Sequence, residues 1–188
     1  MELRQLVKEA RSFRRYDQSK RLDEKQLLDV IDIARLTPSA ANRQPLKYRI
    51  VFEKTECEKV FSTLSWAGAL HDWSGPEEGE KPAAYILILL DTEISKHAWV
   101  DPGIVGVTMQ YAATQMGFGG CMLGAVDKAA LSELLEIPGR YVLQLVVALG
   151  VPAEQVVLET AEEDTTYFRD ADGTHHVPKR TLDDLILK

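Results

Sequence analysis

The uninterrupted apolar run Ala83–Leu90 restricts the fold more than any other stretch of this chain. It is far shorter than the roughly 20 residues that cross a bilayer. It also lacks the polar alternation of a half-exposed strand, so Ala84–Leu90 reads as a β-strand covered on both faces. Such a strand needs a packing layer on each side, and Val142–Leu149 is a second strand of the same kind. Between them, Asp101 offers an N-cap with Pro102 at the first helical position, and a helix continues through Ile104, Val105, Thr108, Tyr111, Ala112 and Gln115 to Gly117. Its faces are apolar nearly all round, so it belongs in a core or a subunit interface.

The remaining segments supply the layers. Leu3, Leu6, Val7 and Ala10 recur at helical spacing, and Asp23 with Gln26 forms a capping box ahead of Leu27, Val30, Ile31 and Ala34. That second helix stops before Thr37-Pro38. Tyr48–Phe52 reads as a strand, Thr55 and Glu58 cap a helix carrying Val60, Phe61 and Leu64, and Trp66–Pro82 is a long connection with Gly75-Pro76 inside it. Phe118–Leu123 is a short glycine-rich strand, Asp127 caps a helix with Leu131, Leu134 and Leu135, Tyr167–Val177 forms a hairpin around Asp172-Gly173, and Leu182–Leu187 is a last helix after Thr181. Helices and strands mix without regular βα alternation. We therefore expect an α+β fold in one domain spanning residues 1–188.

Charge narrows the function. The chain carries −7 over 188 residues with an isoelectric point near 5.2, which argues against a nucleic-acid or anionic-membrane binder. The first 21 residues nonetheless hold seven basic against three acidic residues, a net of +4, leaving −11 for the rest. With the second basic knot, Lys179-Arg180, this leaves two readings, a pair of solvated patches or a local anion site of phosphate size. The start of the chain has no apolar signal-peptide core, and a soluble cytoplasmic protein is expected. Cys57 and Cys121 have no CxxC spacing and read as structural thiols, while His175-His176 are adjacent and would point to opposite faces of a strand, so no metal site is expected. The stretch Gly117-Phe118-Gly119-Gly120 has Met122 where a dinucleotide fingerprint needs glycine, and it precedes a strand.

Thr37–Pro45 is more telling. Two prolines bracket Ser39, Ala40, Ala41, Asn42, Arg43 and Gln44, a rigid loop that presents amide groups able both to donate and to accept, as a uracil-like edge requires. Four motifs occur in order: Arg11-Ser12-Phe13-Arg14-Arg15-Tyr16, Pro38–Pro45, Gly117–Gly124 and Pro178-Lys179-Arg180. Together they resemble the FMN-dependent nitroreductase family from about residue 8 to the C-terminus.

The resemblance implies a layered fold with a central, mostly antiparallel sheet flanked by helices, in an intertwined homodimer with FMN at the subunit interface. Arg11, Ser12 and Arg14 would come from one chain with Lys179 and Arg180. Pro38, Ser39, Ala40, Asn42 and Gln44 would come from the other, and Leu123 and Gly124 would run beside the flavin ring. The implied function is an FMN-dependent oxidoreductase that takes electrons from NADH or NADPH and passes them, in a ping-pong scheme, to a small-molecule acceptor such as a quinone or nitroaromatic. The flavin carries the chemistry, with Arg14 as the candidate stabiliser of its reduced form and ordinary phosphate contact as the competing role. Two departures stand out. Ala10 replaces a basic residue common before the Arg-Ser pair, shifting weight to Arg14, Arg15 or Lys179, and Trp66–Pro82 is reshaped, with Trp66 and Trp73 as candidate walls of an acceptor pocket. The alternatives are a flavin-binding carrier or regulatory module without turnover, and a relative specialised in dehalogenation or flavin cleavage.

Overall fold

Two apolar strands with no polar face can only be central, and the computed structural model, which describes residues 1–187, places them so. Strands β1 (Leu46–Val51), β2 (Ala84–Asp91), β3 (Gly119–Leu123) and β4 (Tyr141–Gly150) form one fully antiparallel sheet in the order β1-β2-β4-β3. Every residue of β2 is buried, as its composition demands. Ile86 and Ile88, with Val147 and Leu149 of β4, face helices α2 (Glu24–Ala34) and α4 (Asp101–Gln115). Tyr85, Leu87 and Leu89, with Val146 and Ala148, face α3 (Lys54–Phe61), α5 (Lys128–Leu134) and Trp66. The result is a helix–sheet–helix α+β layering. No helix among the described residues is long and apolar enough to cross a membrane.

Local signals set most boundaries. The Asp23–Gln26 capping box forms in both directions, and α2 buries Leu27, Val30 and Ala34. Asp127 accepts the Ala130 N–H at the start of α5. One expectation needs correction, and two helices leave apolar surface uncovered within one protomer. Helix α3 starts at Lys54 behind an uncapped Glu53, because the chain turns into the helix directly from β1; Thr55 lies inside its first turn. The apolar stripe of α1 (Leu3–Glu9) buries nothing within one protomer, and Leu3 and Val7 stay exposed. On α4, Val105, Met109, Ala112 and Ala113 enter the core, while Ile104, Val107 and Tyr111 are only half-buried.

The C-terminal segment builds a second small sheet. Strand β5 (Val156–Thr160) runs parallel to β7 (His175–Lys179), and β6 (Phe168–Arg169) pairs antiparallel with β7. The β6–β7 turn holds Gly173 at φ +82, a left-handed value that glycine adopts without strain. Helix α6 (Leu182–Leu185), capped by Thr181, is shorter than the expected Leu182–Leu187.

Candidate functional site

Residues 11–16 are threaded between the two sheets. Helix α1 ends at Ala10, and Arg11 folds back over it, donating from Nε to the Ala10 carbonyl at 2.9 Å and from Nη2 to the Val7 carbonyl at 2.7 Å. These bonds satisfy helix-end carbonyls that otherwise lack a partner. Ser12 pairs in parallel with Gly120, and the Phe13 N–H donates to the Gly120 carbonyl at 3.1 Å. The segment therefore runs along the start of β3. Leu123, buried, and Gly124, exposed, lie three and four residues further on, about 10–13 Å at 3.3 Å per residue. Tyr16 locks the far end: it is fully buried, its hydroxyl donates to the Phe13 carbonyl at 2.6 Å, and a Cβ on Gly150 would meet its ring at 2.7 Å.

Arg14 and Arg15 are held from the C-terminal side. Both backbone N–H groups donate to one carboxylate oxygen of Glu154, whose other oxygen pairs with Arg169 Nη2 at 2.8 Å. That carboxylate is 2% exposed. The Arg14 guanidinium donates from Nη1 to the Ser12 carbonyl at 3.2 Å, meets His175 Nε2 at 3.2 Å and lies 4.7 Å over the Tyr167 ring. Arg15 pairs with Glu80 at 3.2 Å. Arg11 keeps one amino group unspent, Ser12 is exposed, and Arg14 keeps Nε and Nη2, so this segment offers guanidinium and hydroxyl donors of the kind that recognise phosphate.

The loop 37–45 is strapped to the start of α4. Ser39 Oγ donates to Asp101 Oδ2 at 2.6 Å, the Ala40 N–H donates to Asp101 Oδ1 at 3.1 Å, and the Gln44 N–H donates to Ser39 Oγ at 2.9 Å. The hydroxyl thus relays one end of the loop to the carboxylate. Ala41, Asn42 and Gln44 all sit in the left-handed region, at φ +50, +52 and +49, a conformation costly for residues with a Cβ. Pro38, Asn42 and Gln44 are exposed, and Ser39 and Ala40 half-buried. Asp101 is not the N-cap of α4: Val100 holds that position, and the Asp101 side chain, 2% exposed, is committed to the loop instead.

These two groups of residues lie at opposite ends of α4, whose 15 residues span about 22 Å. A cleft of about 200 Å³ adjoins the loop between Pro38, Ser39, Gln44, Tyr48 and Asp101. A separate groove of about 380 Å³ adjoins Arg11, Phe13, Thr114 and Phe118, and the two share no lining residue. Lys179 closes β7 four residues beyond His175, about 13 Å along the strand, with the exposed Arg180 next to it. Within one protomer these two cations stand apart from Arg14.

The two tryptophans of the long connection are held by packing and by cations. Trp66 is 7% exposed in the α3–α5 core, 6.0 Å from Phe61, and the guanidinium groups of Arg169 and Arg15 lie 4.2 and 5.9 Å over the Trp73 ring. Both indoles anchor the 66–82 connection. Cys57 and Cys121 are buried, with their thiols pushed up to about 11 by burial, so neither is a nucleophile near neutral pH. Asp101, Glu154, Tyr167, Arg169 and His175 were not singled out as functional residues from sequence. In the sequence Asp101 shows as an acidic residue ahead of proline, which looks like a cap, and His175 shows only as half of a histidine pair.

The sequence model of the nitroreductase family matches residues 7–151. A protein of Archaeoglobus fulgidus, provisionally named an NADH dehydrogenase/NAD(P)H nitroreductase, is 28% identical over 153 residues, covering 77% of this chain and 82% of the relative. Among solved structures, the nitroreductase family protein of Streptococcus pneumoniae TIGR4 has a TM-score of 0.72 at 20% identity and covers 100% of both chains. The FMN-dependent nitroreductase of Clostridium difficile R20291 has a TM-score of 0.63 at 20% identity, over 85% of this chain and 91% of that one.

Proposed function

The chain belongs to the nitroreductase family, and from that premise we propose that it is an FMN-dependent NAD(P)H oxidoreductase acting on conjugated electrophiles such as quinones and nitroaromatics. One observation carries the reading. The basic segment 11–14 and the strapped loop 38–44 are both prepared to bind, yet they open into separate depressions at opposite ends of α4. A single flavin that touches both therefore needs two copies of the chain. The half-buried face of α4 and the exposed stripe of α1 are the surfaces that a second copy would cover.

In this reading Arg11 and Ser12 hold the phosphate side, Arg14 faces the ring, and Lys179 and Arg180 form an outer arm further along β7. Pro38, Ser39, Ala40, Asn42 and Gln44 of the second copy meet the ring edge, and Leu123 and Gly124 line its path. Bound FMN supplies hydride acceptance from NADH or NADPH and two-electron delivery to the acceptor. The residues around it bind and orient. The Arg14 guanidinium stabilises negative charge that develops on the ring upon reduction, and the Asp101 strap keeps the loop amides aimed before binding, so less order is lost when the ligand arrives.

Purified protein reconstituted with FMN should lose its visible flavin absorption on anaerobic addition of NADH or NADPH and regain it when a quinone is added. A flavin that binds yet stays oxidised with both nicotinamides would favour a carrier without turnover. Arg11→Ala and Arg180→Ala each remove a charge-assisted contact, and each should weaken FMN about ten- to a hundredfold; unchanged affinity would remove that residue from the clamp.

A further inference from the structure

The β5–β7–β6 sheet lies outside the matched residues 7–151, yet its His175 reaches the Arg14 side chain in the candidate site. His175 is 1% exposed, fixed by its own N–H bond to the Gln155 carbonyl at 2.8 Å, and its ring lies 5.2 Å from the Tyr167 ring. Arg14 donates to its Nε2, so the ring is neutral and the hydrogen sits on Nδ1, which is buried without a partner. A buried N–H left unpaired is costly, and an apolar side chain would fill the space without that cost. The histidine is therefore held for its acceptor. Burial and the Arg14 charge lower its pKa to about 4, against an opposing pull from Glu154, with Arg169 and His176 as the other charged or titratable groups around it. The acceptor persists across the neutral range.

We propose that His175, braced by Tyr167, is a positioning residue for Arg14, and that through Arg14 the C-terminal sheet sets both the affinity for the flavin and the ease of its reduction. The inference rests on the reading that Arg14 meets the cofactor. Arginine has many rotamers, and two of its donors here are spent on Ser12 and His175 while the ring of Tyr167 supports its plane. The remaining donors, Nε and Nη2, are thereby presented in a fixed direction. His176, the next residue, faces Glu159 and Asp170 instead, at 3.0 and 3.1 Å, and takes no part.

The test compares Arg14→Ala, His175→Leu, His175→Gln and Tyr167→Leu by FMN titration of the apoprotein, the midpoint potential of bound FMN, melting temperature, and nitrogen NMR of the imidazole in flavin-free protein. Arg14→Ala should weaken FMN at least tenfold and lower the potential. His175→Leu should weaken FMN about three- to tenfold with a potential shift of the same sign, and Tyr167→Leu should do so to a smaller degree. His175→Gln, which keeps an acceptor, should restore most of both, and His175→Leu should add nothing in the Arg14→Ala background. The imidazole should be neutral with its hydrogen on Nδ1 at pH 6. If Arg14→Ala changes neither affinity nor potential, the assignment of Arg14 to the cofactor fails. If Arg14→Ala acts while His175→Leu moves only the melting temperature, or a hydrogen on Nε2 is found, the positioning role alone is overturned.

Discussion

Asp101→Ala removes the acceptor that ties the loop 38–44 to α4, and its cost can be worked from the contacts. The carboxylate takes two hydrogen bonds, from Ser39 Oγ and the Ala40 N–H, and sits in the first turn of α4 where negative charge is favoured. A hydrogen bond to a charged group contributes about 1.5–3 kcal/mol when fully buried. Both donors here are half-buried, so water recovers part of the loss and about 1 kcal/mol each is the better figure. Loss of the favourable charge at the helix start adds about 0.5 kcal/mol. The sum is about 2–3 kcal/mol, equivalent to roughly 4–12 °C in melting temperature for a domain of this size. Asp101→Asn keeps one acceptor and should cost about half as much. Urea titrations of Asp101→Ala, Ser39→Ala and the double variant close a thermodynamic cycle in which the two side chains should be coupled by about 1 kcal/mol. A Asp101→Ala protein within about 0.5 kcal/mol of the parent, or a coupling of zero, would refute the strap.

Three further perturbations probe the same framework. Ala41→Gly relieves one left-handed residue and, after the entropic cost of glycine, should stabilise the free protein by up to about 1 kcal/mol in the same titrations; destabilisation would mean that the methyl group packs usefully. Glu154→Gln breaks a buried ion pair with Arg169 while keeping an acceptor for the Arg14 and Arg15 N–H groups, and should cost about 2–4 kcal/mol, which chemical denaturation would show as a lower midpoint with unchanged slope. Because the His175 pKa is lowered to about 4 in the fold, its contribution is fully present above the unfolded value near 6.5 and is lost as pH falls toward 4, by at most about 3 kcal/mol. His175→Gln should flatten that acid limb between pH 6.5 and 4, and an unaltered limb would show that other groups drive it.

The central sheet was legible because its strands are read by composition alone: β2 and β4 are apolar on both faces and admit no other place. Capping chemistry was legible for the same local reason, at Asp23, Asp127 and Thr181. Asp101 shows where that reasoning stops. A carboxylate before Pro102 looks like a cap, and only the approach of Ser39 from 62 residues away diverts it to the loop. Strand β5 escaped notice because its five residues pair in parallel with β7 across a long excursion, with no hairpin to announce the partner. Glu154 and His175 reach Arg14 over separations of 140 and 161 residues, and neither belongs to any motif. The four ordered motifs supplied the candidate site residues, but the supports that hold them were visible only in three dimensions.

The central claim, that one flavin site is built from the basic segment of one copy and the strapped loop of another, is tested most directly by complementation. Arg11→Ala/Arg14→Ala chains and Ser39→Ala/Asn42→Ala chains should each bind FMN poorly on their own. Co-refolded in equal amounts, half of the two-fold dimers would carry one of each chain, and each such dimer would have one site with both halves intact. The account predicts that tight FMN binding returns to about a quarter of the parental site count, by titration of bound flavin per chain. If mixing restores no tight sites, the binding residues act within a single chain and the two-copy site is wrong.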